Sequence, residues 1–111
     1  MASPAEAADA YMLLVSEARL DDLVALFADD AVVVQRAGTF SGREEIRGFY
    51  RDTILPNRPQ CRGELFSSTE RQAVLEMRAS TAARPDSEAE VLDLFELNDA
   101  GEIARLSIYF R

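Results

Sequence analysis

"AEVLDLFELNDAGEIARLSIYF", residues 89–110, decides the fold. Both of its halves alternate apolar and polar side chains with a period of two, and Asn98-Asp99-Ala100-Gly101 between them has the composition of a tight turn. The chain therefore ends in two antiparallel strands. Successive strand side chains point to opposite sides, so Val91, Asp93, Phe95 and Leu97 share one face, and Leu92, Leu94 and Glu96 share the other. Asp93 thus stands between apolar neighbours on its own face, where a carboxyl is costly. In the last strand Leu106, Ile108 and Phe110 are expected on that inner face, with Ile103 and Tyr109 joining Leu92 and Leu94 outside.

Upstream, "QAVLEMRASTA" near 72–82 and "CRGELFSS" near 61–68 repeat the strand pattern, and Leu75, Met77, Ala79 and Thr81 form an inward row. Before the loop "PNRPQ" the period is helical. Ser3, Pro4 and Glu6 combine a hydroxyl cap, a proline in the first turn and a glutamate three residues after the cap, which predicts a helix to about Ala18. Ala7, Tyr11, Leu14, Val15 and Ala18 form its apolar stripe, so Tyr11 points inward. A second short helix is expected in "RLDDLVALFADD", capped by Asp21 and ended by a turn at Asp29 and Asp30. A third spans "FSGREEIRGFYRDTILP", with Ser41 and Glu44 as a capping box and Pro56 as its stop, and it carries Tyr50 on the Ile46–Phe49–Ile54 stripe.

Between the second and third helices lies "AVVVQRAG". Alternation puts Ala31, Val33 and Gln35 on one face, so an inner apolar row ends in an amide. Gly38 is expected to end this strand. Helices first and a run of strands last, joined by short turns, argue for an α+β fold with an antiparallel meander.

The chain has 111 residues, 48 % of them apolar and 29 % charged, which fits one domain over residues 1–111 with its own core. Its net charge of −8 repels a phosphate backbone and argues against nucleic acid as a partner. The sequence contains no histidine and one cysteine, Cys61, which excludes an internal disulfide, His-ligated zinc and His-dependent nucleophilic catalysis. No stretch approaches the ~20 apolar residues of a membrane span, and the start lacks a basic segment followed by an apolar run. A cytoplasmic protein without membrane association is the expectation.

The run "YMLLVSEARLDDLVALFADDAVVVQRAG", the "SGREEIRGFY" helix and the terminal "VLDLFELNDAGEIARLSIYF" together resemble a steroid Δ-isomerase (ketosteroid isomerase) of the SnoaL-like superfamily, which shares the nuclear transport factor fold. The resemblance implies a cone: a curved, mainly antiparallel sheet wrapped on three helices from the N-terminal half, with an apolar pocket at its open end. It implies a homodimer through the outer face of the sheet, a hydrophobic small molecule as ligand, and neither cofactor nor metal. In the steroid isomerases a carboxylate base on the first strand moves a proton, while a tyrosine and a protonated aspartic acid hydrogen-bond the dienolate oxygen. Tyr11 falls on the tyrosine position, Asp93 on the acid, and Tyr50 on a second tyrosine that supports the first. Gln35 falls on the base. Tyr50, Met77, Ala79, Phe95, Leu106, Ile108 and Phe110 are the expected pocket lining.

An amide cannot take a proton from carbon at a useful rate, so Gln35 departs from the isomerase pattern. Glu64 is an alternative carboxylate, with its facing left open by the pattern. Isomerase chemistry, polyketide or polyether cyclisation, epoxide hydrolysis, and non-catalytic binding of a small apolar ligand all remain as readings, with a dimerising scaffold beside them.

Overall fold

The computed structural model describes residues 2–111. Helix α1 (Pro4–Ser16) starts as its sequence dictates: Ser3 Oγ accepts from the Glu6 N–H, and a Glu6 carboxylate oxygen accepts from the Ser3 N–H at 3.0 Å. It stops two residues short of the expected end because Ala18 adopts φ 55°, a left-handed conformation that no helix continues through. Helix α2 (Leu20–Ala25) follows at once. Asp21 is not its cap. Arg19 holds that position without a side-chain capping bond, and Asp21 and Asp22 lie in the first turn, where carboxylates complement the helix dipole.

Strand β1 (Phe27–Gln35) begins directly after α2, so the expected turn at Asp29 and Asp30 is a bulge inside a strand. β1 runs parallel to β6 (Ile103–Phe110), and the register jumps between the Phe27–Ile103 and Val32–Arg105 pairs, which leaves Ala28–Ala31 out of the ladder. Backbone groups released by such a bulge need other partners. Arg43 supplies one at the edge of the bulge: its Nε and Nη2 donate to the Phe27 carbonyl at 2.8 and 2.6 Å, and its Nη1 pairs with the Asp29 carboxylate at 2.9 Å.

Gly38 does not end the sheet segment. A two-residue turn at Arg36 and Ala37 leads into β2 (Gly38–Ser41), which folds back antiparallel on β1. Helix α3 (Gly42–Phe49) then starts with Glu45, not Glu44, reaching back to the Ser41 N–H at 2.9 Å, and the Ser41 hydroxyl makes no capping bond. The expected single helix widens into a π turn over Tyr50–Ile54 and tightens into a 3₁₀ turn over Leu55–Asn57, where Pro56 stops it.

Strands β3 (Gln60–Ser68), β4 (Gln72–Thr81) and β5 (Arg84–Leu97) complete a curved, open six-stranded sheet of order β2-β1-β6-β5-β4-β3, antiparallel except for β1 with β6. One bulge corrects a sequence expectation. Glu96 pairs with Arg105 but Leu97 pairs with Ile103, so Ala104 is an extra residue, and the shift of phase turns Ile103 into the core instead of the outer row.

The core lies between the concave face and the helices. Ala7, Ala8, Leu14 and Val15 of α1, Leu23 of α2, and Ile46 and Phe49 of α3 pack on Val33, Leu75, Phe95, Ile103 and Leu106 of the sheet. Large aliphatic and aromatic side chains of this kind stabilise by about 1.5–3 kcal/mol each on full burial, which is what fixes the helices inside the curve. Among the described residues no helix is long and apolar enough to cross a membrane.

Candidate functional site

The register of the sheet assembles the site. Across the concave face, Leu65, Leu75, Asp93 and Ile108 stand opposite one another on β3, β4, β5 and β6. Gln35 is the next residue after the Val34–Ser107 pair of β1 and β6, which brings it level with Ile108. One row toward the strand ends, Met77, Val91 and Phe110 are partners; one row the other way, Phe95, Leu106 and Val33 are. Asp93 therefore occupies the middle of the inner face, ringed by apolar side chains.

Helix α1 and the π turn lay two tyrosines over this face. The hydroxyls of Tyr11 and Tyr50 are 2.8 Å apart. Tyr11 meets Phe95 edge-on with ring centroids 5.2 Å apart, and Tyr50 packs against Phe27 and Phe49. Both tyrosines are buried. Burial holds each hydroxyl well above its ordinary pKa, and for Tyr11 the nearby Tyr50 and Asp93 push in the same direction, so both remain protonated near neutrality.

Asp93 is 0 % exposed, and neither of its carboxyl oxygens has a hydrogen-bond partner among the described residues. Buried polar atoms in folded proteins are nearly always paired, and an ionised carboxylate without partners is costlier still. Desolvation raises the Asp93 pKa to about 7, so below neutrality the group is a neutral acid with one O–H to donate. Cys61, half-buried on the same concave face, has its thiol pushed up to about 11 by burial, with the Ser16 hydroxyl opposing the shift. The sequence reading did not assign Cys61 to the site; its pairing with Ala79 across β3 and β4 is a matter of register.

Gln35 sits at the rim. Its side-chain oxygen accepts from the Ala37 N–H, so the amide at the end of the inner row caps the β1–β2 turn. Such a bond gives Gln35 a local structural role as well as its place on the inner face. Gln35, Ile108 and Phe110 line an open depression of about 500 Å³ at the ends of β1 and β6. Tyr11, Tyr50, Phe95 and Leu106 are packed in the closed core beneath, Met77 is buried at its edge, and Ala79 is half-buried farther along β4. Ile108 connects the two regions, since it lines the depression and is the direct cross-strand partner of Asp93. Glu64 pairs with Glu76, which pairs with Leu92, and that row belongs to the convex face, away from Asp93.

A curved, open six-stranded sheet wrapped on three helices defines the cone-shaped α+β class. The chain belongs to the SnoaL-like domain family, whose profile matches residues 8–106. A sequence comparison with curated proteins finds no significant match. Solved structures share the fold at low identity. A computationally designed 17-OHP binder superposes with a TM-score of 0.84 at 22 % identity, over 100 % of this chain and 93 % of the other. The epoxide hydrolase/cyclase-like enzyme SalBIII, which acts in pyran ring formation in the polyether salinomycin, gives 0.82 at 16 % identity over 97 % and 90 %. RV0760c from Mycobacterium tuberculosis, solved in complex with estradiol-17beta-hemisuccinate, gives 0.80 at 22 % identity over 99 % and 95 %.

Proposed function

We propose that this protein binds a hydrophobic small molecule through a carbonyl, enol or epoxide oxygen, with Tyr11 and Asp93 as the two hydrogen-bond donors and no general base at position 35. The observation that carries this reading is Asp93: a fully buried carboxyl whose two oxygens lack any partner among the described residues. A group held in that state at a folding cost is explained by a ligand that completes its hydrogen bonds.

The chemistry follows from the donors. Either hydroxyl can donate across the 2.8 Å Tyr11–Tyr50 contact; with Tyr50 as the donor the Tyr11 hydrogen is left for the ligand, and neutral Asp93 offers a second O–H. Two donors in a low-dielectric core stabilise negative charge growing on a bound oxygen, so the site polarises a carbonyl and holds an enolate-like phenol tightly. Proton abstraction from carbon needs a base, and Gln35 is not one. The reaction this set can assist is one in which the substrate supplies its own nucleophile, such as acid-assisted ring opening or cyclisation; binding without turnover is the other outcome. The ligand reaches Asp93 from the depression by displacing Ile108, which lines the depression and is the cross-strand partner of Asp93.

The same reading has the protein acting in the cytoplasm as a homodimer. Tyr109 is 58 % exposed on the convex face beside half-buried Leu92 and Leu94, and a second copy would cover that patch. Light scattering at tens of micromolar should return twice the chain mass.

Titration with 2-naphthol, followed by fluorescence or calorimetry, tests the site itself. Binding weakened about tenfold or more by Tyr11→Phe and by Asp93→Ala is the expected result; affinity unchanged in both variants removes the donor assignment.

A further inference from the structure

The depression at the cone's mouth has a charge character opposite to that of the molecule. The chain carries 20 acidic and 12 basic residues, yet the residues lining the depression include Arg36 and Arg111 and no acidic side chain. The two arginines differ. Arg111 is committed to the convex side, with ion pairs to Glu90 at 3.3 Å and Glu76 at 3.9 Å. Arg36 makes no ion pair among the described residues; its guanidinium lies 3.9 Å above the Phe110 ring centroid.

A guanidinium seated over a ring face rests on an apolar support and keeps its N–H groups for an anion, and Arg36 is exposed. A cation held in place, unpaired, in a chain of net charge −8 is a local exception to a field that otherwise repels anions. Its distance from the donors is set by the ladder. Phe110 lies two residues beyond Ile108, the partner of Asp93, so Asp93 and Phe110 are diagonal neighbours, about 7–8 Å apart along such a diagonal. With the guanidinium stacked beyond the ring, an oxygen at the donor pair and an anion at Arg36 stand on the order of 10 Å apart.

We infer that Arg36, stacked on Phe110, forms an anion subsite at the mouth of the pocket, and that the ligand class is a rigid apolar molecule with a carbonyl or phenolic oxygen at one end and a carboxylate at the other. This rests on the binding reading above and specifies the far end of the same ligand. The Gln35 amide, on the wall of the depression, adds a neutral donor but no competing charge.

The test compares two rods that differ only at the far end: 4-hydroxybiphenyl and 4′-hydroxybiphenyl-4-carboxylate, titrated into the intact protein at low salt. The expected result is a five- to tenfold tighter Kd for the carboxylate, a preference that shrinks as salt rises to about 0.5 M. Arg36→Gln, in an exposed turn, should abolish the preference while leaving 4-hydroxybiphenyl binding unchanged, and Arg36→Lys should keep part of it. Equal binding of both rods by the native protein, or a preference that survives Arg36→Gln, overturns the anion subsite and leaves the donor site standing. Binding of neither rod overturns the donor site, and the subsite with it.

Discussion

The Tyr11 and Tyr50 hydroxyls, 2.8 Å apart, are each other's only hydrogen-bond partners among the described residues, in a closed apolar core. Removing one leaves the other buried and unpaired, which costs about 1–3 kcal/mol. Tyr50→Phe and Tyr11→Phe should each lower stability by about 2 kcal/mol in urea unfolding. The double variant should lose less than the sum, because it leaves no stranded hydroxyl behind. Strict additivity would mean that the bond contributes nothing.

Asp93 should give the protein a particular dependence on pH. Its folded pKa is raised by burial from an ordinary 3.8 to about 7, so the folded state binds the proton more tightly than the unfolded chain does. That contribution is fully present below about pH 4 and is lost progressively as pH climbs to the folded value near 7, beyond which it is flat. Each pH unit between the two values is worth ~1.36 kcal/mol, so the whole contribution is on the order of 4 kcal/mol. Other carboxylates act in the opposite sense, Glu6, Asp52 and Glu88 being lowered by their hydrogen bonds to Ser3, Arg51 and Arg62. The measurement is therefore a difference: stability from about pH 4.5 to 8 for the native protein minus that for Asp93→Asn. A difference with no slope between about pH 4.5 and 7 would show that Asp93 titrates normally.

At Gly63 the backbone of β4 leaves no room for a side chain on β3. A Cβ there would lie 2.5 Å from the Glu76 carbonyl oxygen and 2.9 Å from the Met77 Cα, both backbone atoms that cannot swing aside. Gly63→Ala should force the edge strand away and cost about 1–3 kcal/mol, read as a fall in Tm. Gly48, inside α3, is the control, since its nearest atom would be the flexible end of Arg51 at 3.8 Å. Gly48→Ala should hold or raise stability, by up to ~1 kcal/mol. The opposite ranking of the two variants would contradict the close approach.

What could be read in the sequence was whatever a single element encodes on its own. The Ser3–Glu6 box, the period-two runs of β3 to β6, the inward turn of Tyr11 and the apolar setting of Asp93 are local patterns, and the structure has each of them. The features that escaped are set by partners distant in the chain. Asp29 and Asp30 have the composition of a turn, but they lie in a bulge of β1 whose flanks, Phe27 and Val32, pair with β6, while Arg43 holds the Phe27 carbonyl and the Asp29 side chain. Ile103 looks outward by alternation until Ala104 is inserted by pairing with β5. β2 is four residues long and carries no alternation to detect. At the site, the residue types were visible and their engagement was not: the Gln35–Ala37 turn bond and the seat of Arg36 on Phe110 depend on where two strand ends meet.

Position 35 gives the sharpest separation between binding and turnover. A carboxylate there would stand level with Ile108, two strands from Asp93 on the same face, and strand spacings of about 4.8 Å put the two backbones roughly 10 Å apart. That gap accommodates a flat ring system with its oxygen at the donors and an acidic carbon toward the base. The native protein, with an amide, should show no isomerisation of a β,γ-unsaturated ketosteroid above the rate in buffer. Gln35→Asp should gain it, because ionised Asp is a base opposite two intact donors. The gain will be modest, on the order of 10²-fold over buffer, because the Ala37 N–H that now bonds the amide can bond the new carboxylate and weaken it as a base. Activity in Gln35→Asp should vanish in the double variants with Tyr11→Phe or Asp93→Ala, as the donors and the base act on one bound molecule. Turnover by the unaltered protein would disprove the role given to Gln35. Inactive Gln35→Asp that still binds phenols would place position 35 outside reach of the bound ligand.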